Sequence, residues 1–112
     1  MELDTGVYLS SVRAEDWEPD DDPPGEVHML VETDHLEAGL WRPAAGVTPE
    51  TVAWSPPARE VIVVLKGEAR IEIEGGPALE LSAGSVASLP KGAKARWQCT
   101  ADFVEFWVLE QA

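Results

Sequence analysis

The chain has 112 residues, enough for one domain with its own hydrophobic core. Its 21 acidic residues against 8 lysines and arginines give a formal net charge of −13, which disfavours nucleic acid and anionic membranes as partners. It has no secretory signal pattern, no apolar run near the ~20 residues of a membrane span and a single cysteine, Cys99, so we expect a cytoplasmic protein without a disulfide.

The chain reads in order as a series of short strands. Roughly nine apolar or alternating runs are separated by turn residues such as glycine and proline, and no helical period competes with them. They cover residues 5–12, 26–33, 36–42, 61–65, 68–74, 78–81, 86–89, 93–99 and 103–109. Many short strands with short connections predict an all-β sandwich or barrel.

Three of these strands carry a prediction about burial. Residues 61–65 are wholly apolar, which is typical of a strand buried on both faces. Charged and apolar residues alternate over 68–74, which predicts one wet face and one buried face. Residues 103–109 are apolar on both faces except at Glu105, so this strand is also predicted to be buried on both sides.

Two segments are predicted to be irregular. Residues 14–25 hold four aspartates, two glutamates and three prolines, and we interpret them as a solvated connector. They lack the spacing of a calcium-binding loop, the alternative interpretation. Residues 47–57 are rich in proline but contain Trp54, which either covers the core or lines the mouth of a pocket. The predicted division is therefore an N-terminal strand and connector over 1–25, followed by a barrel over 26–112.

The glycines and prolines after residue 80 resemble the second sequence motif of the cupins. That motif places a glycine, a proline, a second glycine, a histidine and an asparagine at fixed spacing. At the same spacing this chain has Gly84, Pro90, Gly92, Ala95 and Cys99. The framework residues are therefore present, whereas the histidine is replaced by alanine and the asparagine by cysteine.

The first cupin motif is matched by Glu60 and Gly67, and the resemblance extends over residues 36–109. The chain is similar to small single-domain RmlC-like cupins, including the cupin part of ureidoglycine aminohydrolases and of ethanolamine-utilisation proteins. The resemblance implies a double-stranded β-helix, or jelly-roll barrel, with its ligand site inside the mouth. It also implies a homodimer. Fold resemblance alone does not fix the chemistry, because cupins host many reactions.

The resemblance implies a metal held by three histidines and a glutamate, but this chain lacks the histidines. The histidine positions of the first motif fall on one of two pairs, Ala53 and Ser55 or Trp54 and Pro56. The second-motif position is Ala95, so only Glu60 remains, and one carboxylate does not hold a transition metal tightly. A rebuilt site from Glu60, His28 and Cys99 is the alternative. We predict a metal-free site without a cofactor.

Tryptophan is unusually frequent, with five residues in a short chain. Four of them lie on neighbouring predicted elements: Trp41, Trp54, Trp97 and Trp107. They either fill the core or line a cavity for a flat or apolar ligand. Together with His28 and Cys99, which shares a strand face with Ala95 and Trp97, these four are the candidate ligand-binding residues.

Glu60 and Glu105 are the candidate catalytic residues. In the resembling family the side chain of Glu60 points into the barrel, where apolar walls raise the pKa of a carboxyl group towards neutrality. The alternative is a structural ion pair with an arginine such as Arg42, Arg59 or Arg96. Glu105 either joins Glu60 as a proton-transfer pair or lies wet at a sheet edge.

Three hypotheses for function follow from these residues. The first is a metal-independent cupin that binds a small organic molecule and acts as an isomerase, lyase or cyclase through Glu60. The second is a non-catalytic binding or sensor module that uses the same pocket. The third is a metalloenzyme similar to ureidoglycine aminohydrolase. The residues do not identify the substrate.

Overall fold

The computed structural model describes residues 2–4, 6–21, 24–44 and 51–110. These residues form twelve strands and no helix, so no helix in the described chain could cross a membrane. The strands are β1 (Glu2–Asp4), β2 (Val7–Tyr8), β3 (Glu18–Asp21), β4 (Pro24–Glu32), β5 (Leu36–Arg42), β6 (Val52–Trp54), β7 (Glu60–Lys66), β8 (Glu68–Ile73), β9 (Ala78–Ser82), β10 (Val86–Leu89), β11 (Ala95–Cys99) and β12 (Val104–Glu110).

Two antiparallel sheets make up the body of the fold. One has six strands in the order β10-β7-β12-β5-β4-β3, and the other has four in the order β6-β11-β8-β9. A separate hairpin joins β1 to β2. Neighbours in each large sheet are mostly distant in sequence, as expected when one chain winds back and forth between two sheets.

The core lies between the inner faces of the two sheets. Because successive side chains on a strand alternate, β7 presents Ile62 and Val64 inward and β8 presents Ile71 from the opposite sheet. Phe103, which is fully buried, packs at one end of this core, with its ring 6.1 Å from Trp41 and 6.2 Å from Trp97 in edge-to-face geometry. These contacts tie the two sheets together.

The all-β prediction is confirmed, and eight of the nine predicted strands have a counterpart within a few residues. The predicted strand over 36–42 coincides with β5, and that over 86–89 coincides with β10. The predicted strand over 5–12 is wrong beyond Val7–Tyr8, because the arm that follows β2 makes no ladder from Leu9 to Trp17. Its contacts with the sheet come from side chains instead.

Two segments expected to be irregular contain strands. Glu18–Asp21 forms β3 at the edge of the larger sheet, where it pairs with β4. Proline is tolerated at a sheet edge, since one side of an edge strand needs no ladder bonds. Val52–Trp54 forms β6 at the edge of the smaller sheet and pairs with β11. Residues 45–50 lie outside the described part of the chain.

The prediction that residues 61–65 are buried on both faces is wrong. On β7 the inward side chains are buried, but Val61 and Leu65 on the outer face are 39% and 42% exposed. On β12 the outward Phe106 and Val108 are only half-buried. The outer face of the larger sheet is therefore apolar but partly open to solvent, which the apolar sequence alone cannot reveal.

Gly67 offers a test of how tightly one end of the core is packed. It has a φ of +79°, and an added Cβ would lie 2.8 Å from Cα of Phe103 and 2.6 Å from Oγ1 of Thr100. Gly75 has a similar φ of +73° but nothing within 4 Å.

We expect Gly67→Ala to lower the free energy of unfolding by about 2–4 kcal/mol, from positive-φ strain plus overpacking. Gly75→Ala should lower it by only about 1–2 kcal/mol, because it adds the strain without the clash. Urea denaturation of both variants measures the difference. Equal losses would contradict the tight packing described here.

Candidate functional site

A cavity of about 420 Å³ lies between the two sheets. Its walls include four tryptophans, each from a different strand: Trp41, Trp54, Trp97 and Trp107. They also include four acids: Asp20, Glu37, Glu60 and Glu105. Aliphatic side chains such as Val27, Val52 and Leu109 complete the lining. The volume lies within the ~300–1,000 Å³ typical of small-molecule sites.

Glu60 is the first residue of β7 and shares the inward face of that strand with Ile62 and Val64. It is only 4% exposed, and its Oε1 accepts a hydrogen bond of 3.0 Å from Nε1 of Trp54. Burial raises the pKa of Glu60 from 4.5 to about 7, and the hydrogen bond from Trp54 opposes the rise. The carboxyl group therefore exchanges its proton near neutral pH.

The alternative of an ion pair between Glu60 and an arginine is not found among the described residues. Arg59 instead donates a hydrogen bond of 2.9 Å to Oγ of Ser88, and Arg42 pairs with Glu26 at 2.9 Å. Glu60 has an indole as its polar neighbour rather than a cation, so the rise in its pKa caused by burial is only partly offset.

Glu105 lies on the inward face of β12 and is 4% exposed, so it is not the wet edge residue of the alternative interpretation. Its pKa is raised well above 4.5, first by burial and then by the negative charge of Glu60. The two carboxyl groups line one cavity, and the charge of Glu60 affects the ionisation of Glu105. The sequence alone does not show whether these two residues share a cavity.

Two buried polar atoms of this site have no hydrogen-bond partner within the described chain. They are Oε2 of Glu105 and Nε1 of Trp97, on side chains 4% and 5% exposed. An unsatisfied buried polar group costs about 1–3 kcal/mol, so such groups need an explanation. Since both residues line the cavity, a bound molecule that carries polar groups could satisfy them.

The cavity is open beside Trp97 rather than plugged by its ring. Trp97 is held in edge-to-face contact with Phe103 and lines the wall. Ala95 shares its strand face but belongs to the packed core and not to this wall.

Cys99 shares the inward strand face of Ala95 and Trp97, as predicted, but it does not line the cavity. It is half-buried against the core. Burial, together with the nearby charge of Glu105, raises the pKa of the Cys99 thiol to about 11. The thiol therefore stays protonated at neutral pH and is a poor nucleophile and metal ligand.

The prediction that His28 belongs to the ligand site is wrong in location. Its ring is buried on the outer side of the larger sheet, beneath the N-terminal arm. Nε2 lies 2.6 Å from Oγ of Ser10, and Nδ1 lies 3.1 Å from the backbone oxygen of Asp16 and 3.3 Å from its Oδ1. Trp17 packs beside the ring, so His28 anchors the arm to the sheet.

The residues of this chain do not fit the metal that the fold family implies. Within the described ranges, no three histidine, cysteine or acidic side chains gather closely enough to hold a metal ion. Trp54, one of the candidate first-motif positions, directs an N–H donor at Glu60, and Ala95 offers no donor atom. An N–H donor competes with a cation for the same carboxylate oxygen.

Two cavity acids, Asp20 and Glu37, are not identified from the sequence. Asp20 lies in the segment interpreted as a connector, and only its incorporation into β3 brings it to the cavity. Glu37 alternates on β5 with Gly39 and Trp41, so it shares their strand face. The alternation from Trp41 was therefore a usable signal for Glu37.

We expect the raised pKa of Glu60 to appear as a pH dependence of stability. The folded state binds this proton more tightly than the unfolded state does. The free energy of unfolding should therefore fall as pH rises from about 4.5 to about 7 and then level off, with a total contribution of about 3 kcal/mol.

Glu60→Gln should remove this part of the slope, so the variant gains stability relative to the parent between pH 5 and pH 8. Urea denaturation across that range measures the gain. Glu68→Gln removes an exposed carboxyl outside the cavity and should leave the slope as it is. An equal response from both variants would contradict the assignment to burial of Glu60.

Solved structures of other proteins share the fold described above. No curated protein matches the chain. Among solved structures, it is similar to a protein assigned as ethanolamine utilization protein q of Salmonella typhimurium LT2, with a TM-score of 0.70 and 20% identity over 86% of this chain and 79% of that one. The EutQ protein of Clostridium difficile gives 0.63 and 21%, over 77% and 67%.

A further similar structure is an RmlC-like cupin family protein of Methanocaldococcus jannaschii with a double-stranded β-helix fold. Its TM-score is 0.63 at 18% identity, over 99% of this chain and 93% of that one. At such identities these likenesses establish the fold. The family model described as the EutQ-like cupin domain matches residues 30–108, which is most of the chain. The chain therefore belongs to the EutQ-like cupin domain family.

Proposed function

We propose that this chain is a metal-independent cytoplasmic cupin that binds a small organic molecule in the tryptophan-lined cavity between its sheets. The observation that carries the proposal is the carboxyl group of Glu60, which is buried in the cavity wall and paired with the indole of Trp54. In a metal-binding cupin the equivalent carboxylate would face a cation. Here it is available to a bound molecule.

The second element of the proposal is proton transfer. A carboxyl group with a pKa of about 7 is present in both protonation states at neutral pH, which suits a general acid or base. Glu60 as a carboxylate could take a proton from a C–H or O–H bond of the ligand and return it at another atom. Such a cycle leaves the enzyme unchanged and describes an isomerase. If the electron pair of the broken C–H bond instead forms a double bond and expels a leaving group, and Glu60 gives its proton to that group, the reaction is that of a lyase.

Three groups would support Glu60 in this role. Trp54 fixes the orientation of the carboxyl group through its N–H. Glu105, whose ionisation is coupled to that of Glu60, could hold the proton alternately with it. Trp97 presents an unpaired N–H that could stabilise negative charge developing on a ligand oxygen.

A non-catalytic binding or sensor module is the second candidate. The same tryptophan-lined cavity supports it without any proton transfer. The two candidates share the binding step and differ only in whether product forms.

We expect at least one compound of a metabolite library to quench tryptophan fluorescence saturably, because four of the five tryptophans line the cavity. Val52→Trp, which adds bulk to the cavity wall, should abolish the quenching, whereas Ala78→Trp on an exposed strand should not. Purification with one transition-metal ion per chain would contradict metal independence.

Mass spectrometry of the bound compound after incubation then separates the two candidates. If product forms, Glu60→Gln should lower kcat at least 100-fold, the scale of general acid–base catalysis. Unchanged turnover in this variant would remove Glu60 from the mechanism. Binding without product favours the sensor.

We also propose that the chain forms a homodimer through the outer face of the larger sheet. Val61, Leu65 and Val86 on that face are 39%, 42% and 67% exposed, and Phe106 and Val108 on the adjacent strand β12 are half-buried. A contiguous apolar patch of this kind commonly marks a protein–protein contact.

Sedimentation velocity should then give twice the mass of one chain. Val61→Glu should convert the protein to monomers, because it places a charge in the apolar contact. Ala78→Glu adds the same charge to an exposed position of the smaller sheet and should leave the dimer intact. A monomeric parent protein would contradict this proposal.

A further inference from the structure

All the ionisable side chains among the described residues that line the cavity are acidic. Four acids line it, on β3, β5, β7 and β12, and no lysine, arginine or histidine is found among its described lining residues. A ligand with a carboxylate or a phosphate would find no cationic side chain among these lining residues. The negative charge of the whole chain adds to this field and favours the approach of cations.

The aromatic part of the wall favours the same class of ligand. Four indole rings line the same cavity as the acids, and indole is the aromatic side chain that attracts a cation most strongly when the cation lies within about 6 Å of the ring. Cages of aromatic rings are a recurrent way in which proteins recognise quaternary ammonium groups.

Glu105 supplies an independent indication. It is 4% exposed, it lines the cavity, and its Oε2 has no hydrogen-bond partner within the described chain. Glu60 has one N–H donor, from Trp54. A buried carboxyl pair of this kind lacks a positive counterpart, and the cavity between the sheets is the space in which one could bind.

A neutral ligand is the competing interpretation, because two protonated acids could donate hydrogen bonds to it. The tendency of Glu60 and Glu105 to hold their protons arises from burial without a counter-ion. A cation inside the cavity would supply a counter-ion to both acids at once and so lower both pKa values. Hydrogen bonds to a neutral molecule would leave Glu60 and Glu105 buried together without a positive charge beside them.

We propose that the cavity binds a small organic cation, a quaternary ammonium ion or a protonated amine, between the tryptophans with Glu105 and Glu60 as its counter-ions. This inference rests on the proposed function, since it names the class of molecule that the small-molecule site takes.

Proton release accompanies binding of such a cation. The titratable groups that face the bound ion are the four cavity acids, Asp20, Glu37, Glu60 and Glu105, and Cys99 lies behind Glu105. A bound positive charge lowers the pKa of Glu60 and Glu105, so a fraction of a proton to about one proton leaves the protein at pH 7. Binding of a neutral molecule predicts no such release.

Choline and 3,3-dimethylbutan-1-ol form a suitable pair of probes, because they have nearly the same shape and differ in the positive charge. Benzyltrimethylammonium extends the test to a larger ammonium ion. Isothermal titration of the full chain at pH 7.0 and low ionic strength, in two buffers of different ionisation enthalpy, measures affinity and proton release together.

We expect at least one of the two ammonium ions to bind saturably, at least tenfold more tightly than the neutral alcohol, with release of protons. Glu105→Gln should weaken that binding at least tenfold while leaving any binding of the neutral alcohol unchanged. Glu68→Gln makes the same change at an exposed position outside the cavity and should bind as the parent does. If Glu105→Gln does not fold, Glu60→Gln serves as the second variant.

Two results would overturn the inference, and they have different consequences for the proposed function. If the neutral alcohol or neutral library compounds bind while both ammonium ions do not, the cation inference is wrong but small-molecule binding stands. If neither the probes nor any library compound binds, both proposals are wrong.

Discussion

The hydrogen bond from the indole of Trp54 to the carboxyl group of Glu60 is the interaction on which the character of this site depends. It links the first strand of the cupin motif to the edge strand of the opposite sheet. Because the donor is neutral, it satisfies one oxygen without neutralising the charge, and burial then dominates the ionisation of the acid. The four tryptophans and the second acid, Glu105, line the same cavity as this carboxyl group, whose charge no described cation neutralises.

Most of the strands could be predicted from the sequence, because short-range patterns of residues indicate them. Alternation, apolar runs and glycine turns located the strands from residue 26 to residue 42 and from residue 60 onward. The edge strands β3 and β6 were missed, because polar and proline-rich segments gain their ladder bonds from a neighbour that no local pattern reveals. The prediction that both faces of β7 are buried is wrong for a related reason. Whether an apolar outer face is covered depends on what packs against it.

The candidate site was predictable to the extent that it rests on strand alternation. Trp97, Trp107 and Glu105 face inward because their strands alternate, and the order of strands in the sheet then brings Glu105 to the cavity of Glu60. That order is set by long-range pairing and cannot be read from residues one strand at a time. His28 shows the same limit, since one step of register decides whether a side chain on β4 meets the cavity or the arm.

The placement of Trp54 affects which substitutions could introduce a metal centre into this barrel. Building a metal centre here would require imidazoles at several positions, among them Ala95 on β11, together with loss of the indole that satisfies Glu60. A first step that removed only the indole would leave a buried acid with neither donor nor ion, and a first step that added one histidine would create a single weak ligand. A metal centre at this place in the barrel would therefore need several substitutions made together.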